Sequence, residues 1–117
     1  MSAVRVGIVA LAMVTVAATG APAALAIGGC SNQTCVNVVG DGHLHVTYVD
    51  AIARSAFHGR FHIWGPGFDV TSGSADWPAG RNFRYVVAQD LPSGQAICAE
   101  GFAGPTSVGR ACEQIRL

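Results

Sequence analysis

Apolar and polar residues alternate in short runs along most of this chain, and the period is that of half-buried β-strands. Leu44, Val46, Tyr48 and Asp50 fall on one face of a run, with His45, Thr47 and Val49 on the other, because successive side chains of a strand point to opposite sides of its sheet. Phe61 and Ile63 alternate in the same way with His62 and Trp64, and Phe83, Tyr85 and Val87 repeat the pattern. Such runs, rich in β-branched and aromatic residues and punctuated by Gly, Pro, Asp and Ser, predict strands over Cys35–Val39, Leu44–Asp50, Phe57–Trp64, Phe68–Thr71, Phe83–Gln89, Gln95–Ala99 and Arg110–Ile115. Gly40-Asp41-Gly42 is a hairpin signal between the first two. The segment from Asp50 to Phe57 is too short for a stable helix. It reads as a strand end, a turn and the next strand start. The expected fold is all-β: one small antiparallel, Ig-like sandwich of about seven strands.

The first residues follow a different pattern. Arg5 is the only charged residue before Asp41. An apolar run from Val6 to Ala18 follows, then Thr19, Gly20 and Pro22, then Ala24-Leu25-Ala26. A basic start, a short apolar core and small residues at an A-x-A site make a secretory signal peptide. A membrane span needs roughly 20 apolar residues, and Pro22 interrupts this one. Residues 1–26 are therefore expected to be removed, leaving 27–117 as a single domain with no further membrane segment. From Ile27 on there are six Arg, no Lys, five Asp and two Glu, a formal charge of −1. So balanced a surface has no patch that neutralises phosphates, which argues against nucleic acid as a partner. The absence of Lys beside abundant Ala, Gly and Arg fits a GC-rich bacterial genome.

All four cysteines, Cys30, Cys35, Cys98 and Cys112, lie beyond the expected cleavage site. In an exported chain they read as two disulfides, with three connectivities open. Local geometry favours Cys30–Cys35 and Cys98–Cys112. The second pair is equidistant from Pro105, amid Gly101, Gly104 and Gly109, as befits two positions facing each other across a hairpin. Zinc prefers closer pairs and further ligands.

Chemistry is thinner. His43 and His45 share a strand face, and His58 and His62 lie on the following run. If the two strands pair antiparallel around Arg54, His45 lies opposite His62, and a Cu or Zn site with His43 becomes conceivable. The segment Gly59 to Phe68 contains the turn Gly65-Pro66-Gly67, which is expected to bring Trp64 and Phe68 to one rim, with Trp77 in the loop beyond. Aromatic residues anchor many binding surfaces. His62, Trp64, Phe68 and Trp77 are thus the candidate contact residues, against the alternative that a tryptophan plugs the core. No G-x-S-x-G elbow accompanies the Ser, His and Asp residues, and Glu100 and Glu113 read as surface carboxylates. No catalytic residue and no cofactor is implied.

Gly59, Ile63-Trp64-Gly65-Pro66-Gly67, Trp77, Cys98-Ala99-Glu100-Gly101-Phe102 and Gly109-Arg110-Ala111-Cys112 resemble small secreted two-disulfide β-proteins of actinobacteria that have no assigned function. The resemblance covers about half of the chain. It implies a secreted β domain and brings no active-site residues. The layout is also similar, more remotely, to the β-sandwich apoproteins that hold enediyne chromophores and to secreted subtilisin inhibitors. The cysteine spacings match neither, and no inhibitor reactive-site motif is present. The function expected is a secreted, non-enzymatic binding module whose partner is an extracellular protein, a glycan or a small molecule. The alternatives are a small-molecule or metal carrier, and a protease inhibitor inserting an exposed loop such as Asp69–Pro78.

Overall fold

The computed structural model describes residues 25–115. These form nine antiparallel strands in two sheets, with no helix among the described residues. Strands β1 (Leu25–Ser31), β2 (Thr34–Gly40) and β3 (His45–Ala53) run as a meander in the first sheet. The chain then crosses to the second sheet with β4 (Phe57–Gly65), β5 (Phe68–Thr71) and β6 (Ala75–Trp77). It returns to the first sheet for β7 (Asn82–Asp90) and ends in the second with β8 (Ala96–Ala103) and β9 (Thr106–Gln114). The first sheet has the order β1-β2-β3-β7. The second has the order β5-β4-β8-β9, and β6 extends the same edge of β4 that β5 occupies. With β3 between β2 and β7, and β8 between β4 and β9, this is the connectivity of an immunoglobulin-like sandwich, with β1 added as an outer hairpin strand.

Every predicted run is a strand, and β1 and β6 are additional. The signal segment lies outside the described residues up to position 24; Leu25 and Ala26 open β1, paired with Gly40 and Val39. Removal after Ala26 would leave residues 27–31 of that strand. Alternation hid β6 because its three residues are too few to show a period. It exists because β4 is long enough for two partners on one edge. Between them Ser72 fills the gap: its N–H donates to the Phe61 carbonyl, and its Oγ accepts from the Phe61 N–H, both at 2.8 Å.

The face assignment of β3 differs from the alternation read along it. Between Val46 and Tyr48 the register shifts on both sides of β3: against β2, Val39 pairs with Tyr48 and Gly40 with Val46, leaving Thr47 as an extra residue on β3, and against β7 the shift falls where Ala88 has φ 52°. Such a bulge changes which side chains face the core. Val46, Val49, Ala51 and Ala53 are therefore the buried, inward residues. Tyr48 and Asp50 point outward with their cross-strand partners Val86 and Arg84. Asp50 is only 5% exposed on this outer face, because Arg84 covers it. The Arg84 Nε and Nη2 donate to the two carboxylate oxygens at 2.8 and 3.0 Å, and the guanidinium lies 3.8 Å from the Tyr48 ring centroid. The hydrogen bond to Asp50 holds Arg84 above its ordinary pKa, with Coulombic help from Asp50 and Tyr48 against desolvation.

Between the sheets, Val36, Val38, Val49 and Ala51 pack toward Phe61, Ile63, Ile97 and Ala99. Phe61 is fully buried, with Phe57 edge-on at 5.2 Å and Trp77 at 4.9 Å between ring centroids. At Gly59 a Cβ would stand 1.7 Å from the Phe102 carbonyl, so only glycine lets β4 and β8 approach there.

Both expected disulfides form. Cys30–Cys35 and Cys98–Cys112 join directly opposed residues, with Cα–Cα distances of 4.0 and 4.1 Å. Each staples one hairpin within one sheet. Their sequence separations are 5 and 14, so loop-closure entropy makes the second worth more, roughly 3 against about 2 kcal/mol. Urea unfolding of Cys98→Ala/Cys112→Ala and Cys30→Ala/Cys35→Ala should show that order. Equal losses would mean that native packing, and not chain closure, sets the contribution.

Candidate functional site

Strict alternation in β4 sends Phe61 and Ile63 inward and leaves His58, Arg60, His62 and Trp64 on the outer face of the second sheet. β8 and β9 complete that face through their register. Trp64 lies opposite Cys98, which lies opposite Cys112; His62 lies opposite Glu100, and Glu100 opposite Arg110; Arg60 lies opposite Phe102. From the other side, Asp69 of β5 pairs with Trp64. The face is thus a flat lattice of aromatic, acidic and basic groups around a disulfide.

Its centre is held in place. The His62 and Trp64 rings stack with centroids 4.5 Å apart and planes at 28°. His62 Nε2 is 2.7 Å from Asp69 Oδ1. A carboxylate offers only acceptors, so the proton of that bond sits on Nε2. Asp69 thereby fixes the imidazole, and the imidazole fixes one side of the indole. Trp64 stays half-buried against the sheet with the remainder facing solvent. Farther along the face, the Arg60 guanidinium lies over the Phe102 ring at 5.4 Å, and Ser107 Oγ donates to Glu100 at 2.8 Å. A braced aromatic group on a face that also carries hydrogen-bonding groups of both charges is suited to contact: it offers apolar area at little entropic cost, with polar anchors on the same face.

The four aromatic and imidazole candidates divide into two pairs. His62 and Trp64 are together on this face. Phe68 and Trp77 are core residues, 9% and 4% exposed, and do not belong to a contact surface. The reason is the turn. Pro66 and Gly67, with φ 83° at Gly67, join β4 to β5 so that Gly65 pairs with Phe68 and Trp64 with Asp69. Opposed residues share a face, so Asp69 joins Trp64 outside while Phe68 turns inward and stacks on Tyr85 of the facing sheet at 5.4 Å. Trp77 is opposed to Phe57 in the same inward set. Its Nε1–H donates to the Gly59 carbonyl at 2.9 Å, and the Arg81 guanidinium covers its ring at 4.6 Å.

The histidine metal arrangement is also corrected. β3 and β4 do not pair around Arg54; β3 already has β2 and β7 on its edges, so β4 passes to the other sheet. His45 is opposite Asp90 and bonds it at 3.0 Å, while His58 bonds Asp76 at 2.7 Å. His43 sits in the exposed turn after β2, where its N–H donates to Asp41. Among the described residues no three His, Cys, Asp or Glu groups converge as a metal would require. Nor is Asp69–Pro78 a free loop: β5 and β6 occupy most of it and Trp77 anchors its end. Glu100 faces outward, whereas Glu113, opposite the buried Ile97, faces Gly29 of β1. The two carboxylates lie on opposite faces of their hairpin.

Asp69, Arg110 and Arg60 were not singled out from sequence as contact residues, and Glu100 was read only as a surface carboxylate. The two-residue turn was the available signal for Asp69, and the Cys98–Cys112 pairing for Glu100 opposite Arg110.

The two tryptophans should separate in experiment. Trp77→Ala removes a buried, hydrogen-bonded ring and is expected to cost about 3–5 kcal/mol. Trp64→Ala should cost far less and keep the far-ultraviolet spectrum and cooperative urea transition. Comparable losses for both would place Trp64 in the core and remove it from the contact face. Compared with protein-family models, with curated proteins and with solved structures, the chain matches none.

Proposed function

We propose that the chain is a secreted, non-enzymatic binding module that meets its extracellular partner through the outer face of the second sheet, with Trp64 at the centre. The observation that carries this is the contrast between the tryptophans. Trp77 serves the core, whereas Trp64 spends its area on an outer face and is braced there by His62 and Asp69. Partial exposure of a large, braced aromatic group, on a face that also carries Arg60 and Arg110, is the composition of interface hot spots. Two disulfides in a small domain fit an oxidising compartment, and the N-terminal pattern supplies the route of export.

The test is retention of the purified protein on two immobilised probes, the host's cell-wall polysaccharide and its concentrated secreted proteins. Wild-type protein should be held by one of them, and Trp64→Ala should lose at least about tenfold in affinity, roughly 1.4 kcal/mol. Asp69→Asn, which weakens the brace without removing the indole, should lose less. Equal retention of wild type and Trp64→Ala, or retention on neither probe, would overturn the assignment. Retention on the polysaccharide alone would identify the partner class as glycan.

A further inference from the structure

β7 is the outer strand of the first sheet and pairs with β3 along one edge only. The disulfide two strands away decides which of its peptide groups are left over. Opposed residues in an antiparallel ladder alternate between narrow pairs, about 4.5 Å between Cα atoms and without mutual hydrogen bonds, and wide pairs of about 5.5 Å that exchange both bonds. At 4.0 Å, Cys30 and Cys35 are a narrow pair. Cys35 therefore turns its N–H and C=O toward Ile52, and Ile52 has none left for Asn82. The register Ile52 to Asn82, Asp50 to Arg84 and Tyr48 to Val86 carries this alternation along the strand. Asn82, Arg84 and Val86 thus each present a donor and an acceptor to the open edge.

The same edge carries Val86, a large hydrophobic residue 62% exposed. It ends an outer-face row that runs through Val39 and Tyr48. Open strand edges are commonly blunted by Lys, Pro or a bulge. Here residues 82–87 contain neither Lys nor Pro, and the bulge at Ala88 closes only the far end.

We propose that this edge pairs antiparallel with the same edge of a second copy, about a two-fold axis through Tyr85. In that register Arg84 of each copy faces Val86 of the other, both with outward peptide groups, so each such pair exchanges both ladder hydrogen bonds. The Arg84 side chain covers the exposed valine, and its charge is already balanced by Asp50. β7 is basic at its start, with Arg84 in it and Arg81 just before it, and acidic at its end, with Asp90. Antiparallel pairing sets the basic start of each strand toward the acidic end of the other, which a parallel arrangement would not. A closed, self-complementary contact of this kind stops at two copies and leaves both Trp64 faces free.

Sedimentation velocity of the purified protein over a wide concentration range, with two variants of the exposed Val86, tests the arrangement. Wild type should show a monomer–dimer equilibrium. Val86→Arg places like charges opposite Arg84 and should weaken the dimer by about tenfold or more, whereas Val86→Glu should preserve or tighten it, since opposed charges attract and like charges repel across a ladder. A wild type that is monomeric throughout would overturn the proposal. So would a dimer unaffected by either variant, which forms elsewhere, or one weakened equally by both, which rests on an apolar patch and not on this register.

Discussion

No disulfide joins the two sheets among the described residues. Each disulfide closes a hairpin inside its own layer, so the layers are held to each other by apolar packing. Phe61 stands at the centre of that contact, with Phe57 and Trp77 edge-on against it. Everything outward depends on this burial. The alternation that sends Phe61 and Ile63 inward is the same alternation that presents His62 and Trp64 to solvent. A few hydrogen bonds pin the ends of the layers, such as Gln33 N–H to the Val108 carbonyl at 2.8 Å. They orient the sandwich; the area removed from water stabilises it.

The hairpin disulfides have a different role. By joining opposed residues they fix register, and register fixes which groups become neighbours. Cys98 opposite Cys112 dictates Glu100 opposite Arg110 two residues along. Cys30 opposite Cys35 sets the hydrogen-bonding phase that propagates through β2 and β3 to the free edge of β7. The Trp64 face and the β7 edge thus lie on opposite layers, each organised by the staple in its own sheet.

Local chemistry made much of this architecture legible. Strand positions followed from period-two alternation, and the disulfides from spacing around turn formers. The pair His62 and Trp64 was legible because both fall on the polar side of one alternating run. Phe68 and Trp77 were misplaced because aromatic identity does not say which face a residue takes. Phe68 required the parity of a two-residue turn, and Trp77 belongs to a strand too short to show a period. The inward set on β3 was misread because β3 carries an extra residue, Thr47, where it pairs with Val39 and Gly40 of β2, and the alternation along one strand does not show where its partner skips a residue.

By itself, then, the sequence pointed to an all-β sandwich with two disulfides and favoured their hairpin pairing, since alternation and turn chemistry act over a few residues. Tertiary structure alone decided which strands became neighbours. It separated His45 from His62 by placing their strands in different layers, brought Asp69 to His62, and set Trp64 beside the Cys98–Cys112 bridge. Those outcomes depend on long-range pairing driven by burial of one shared core, a property of the whole chain that no local window contains.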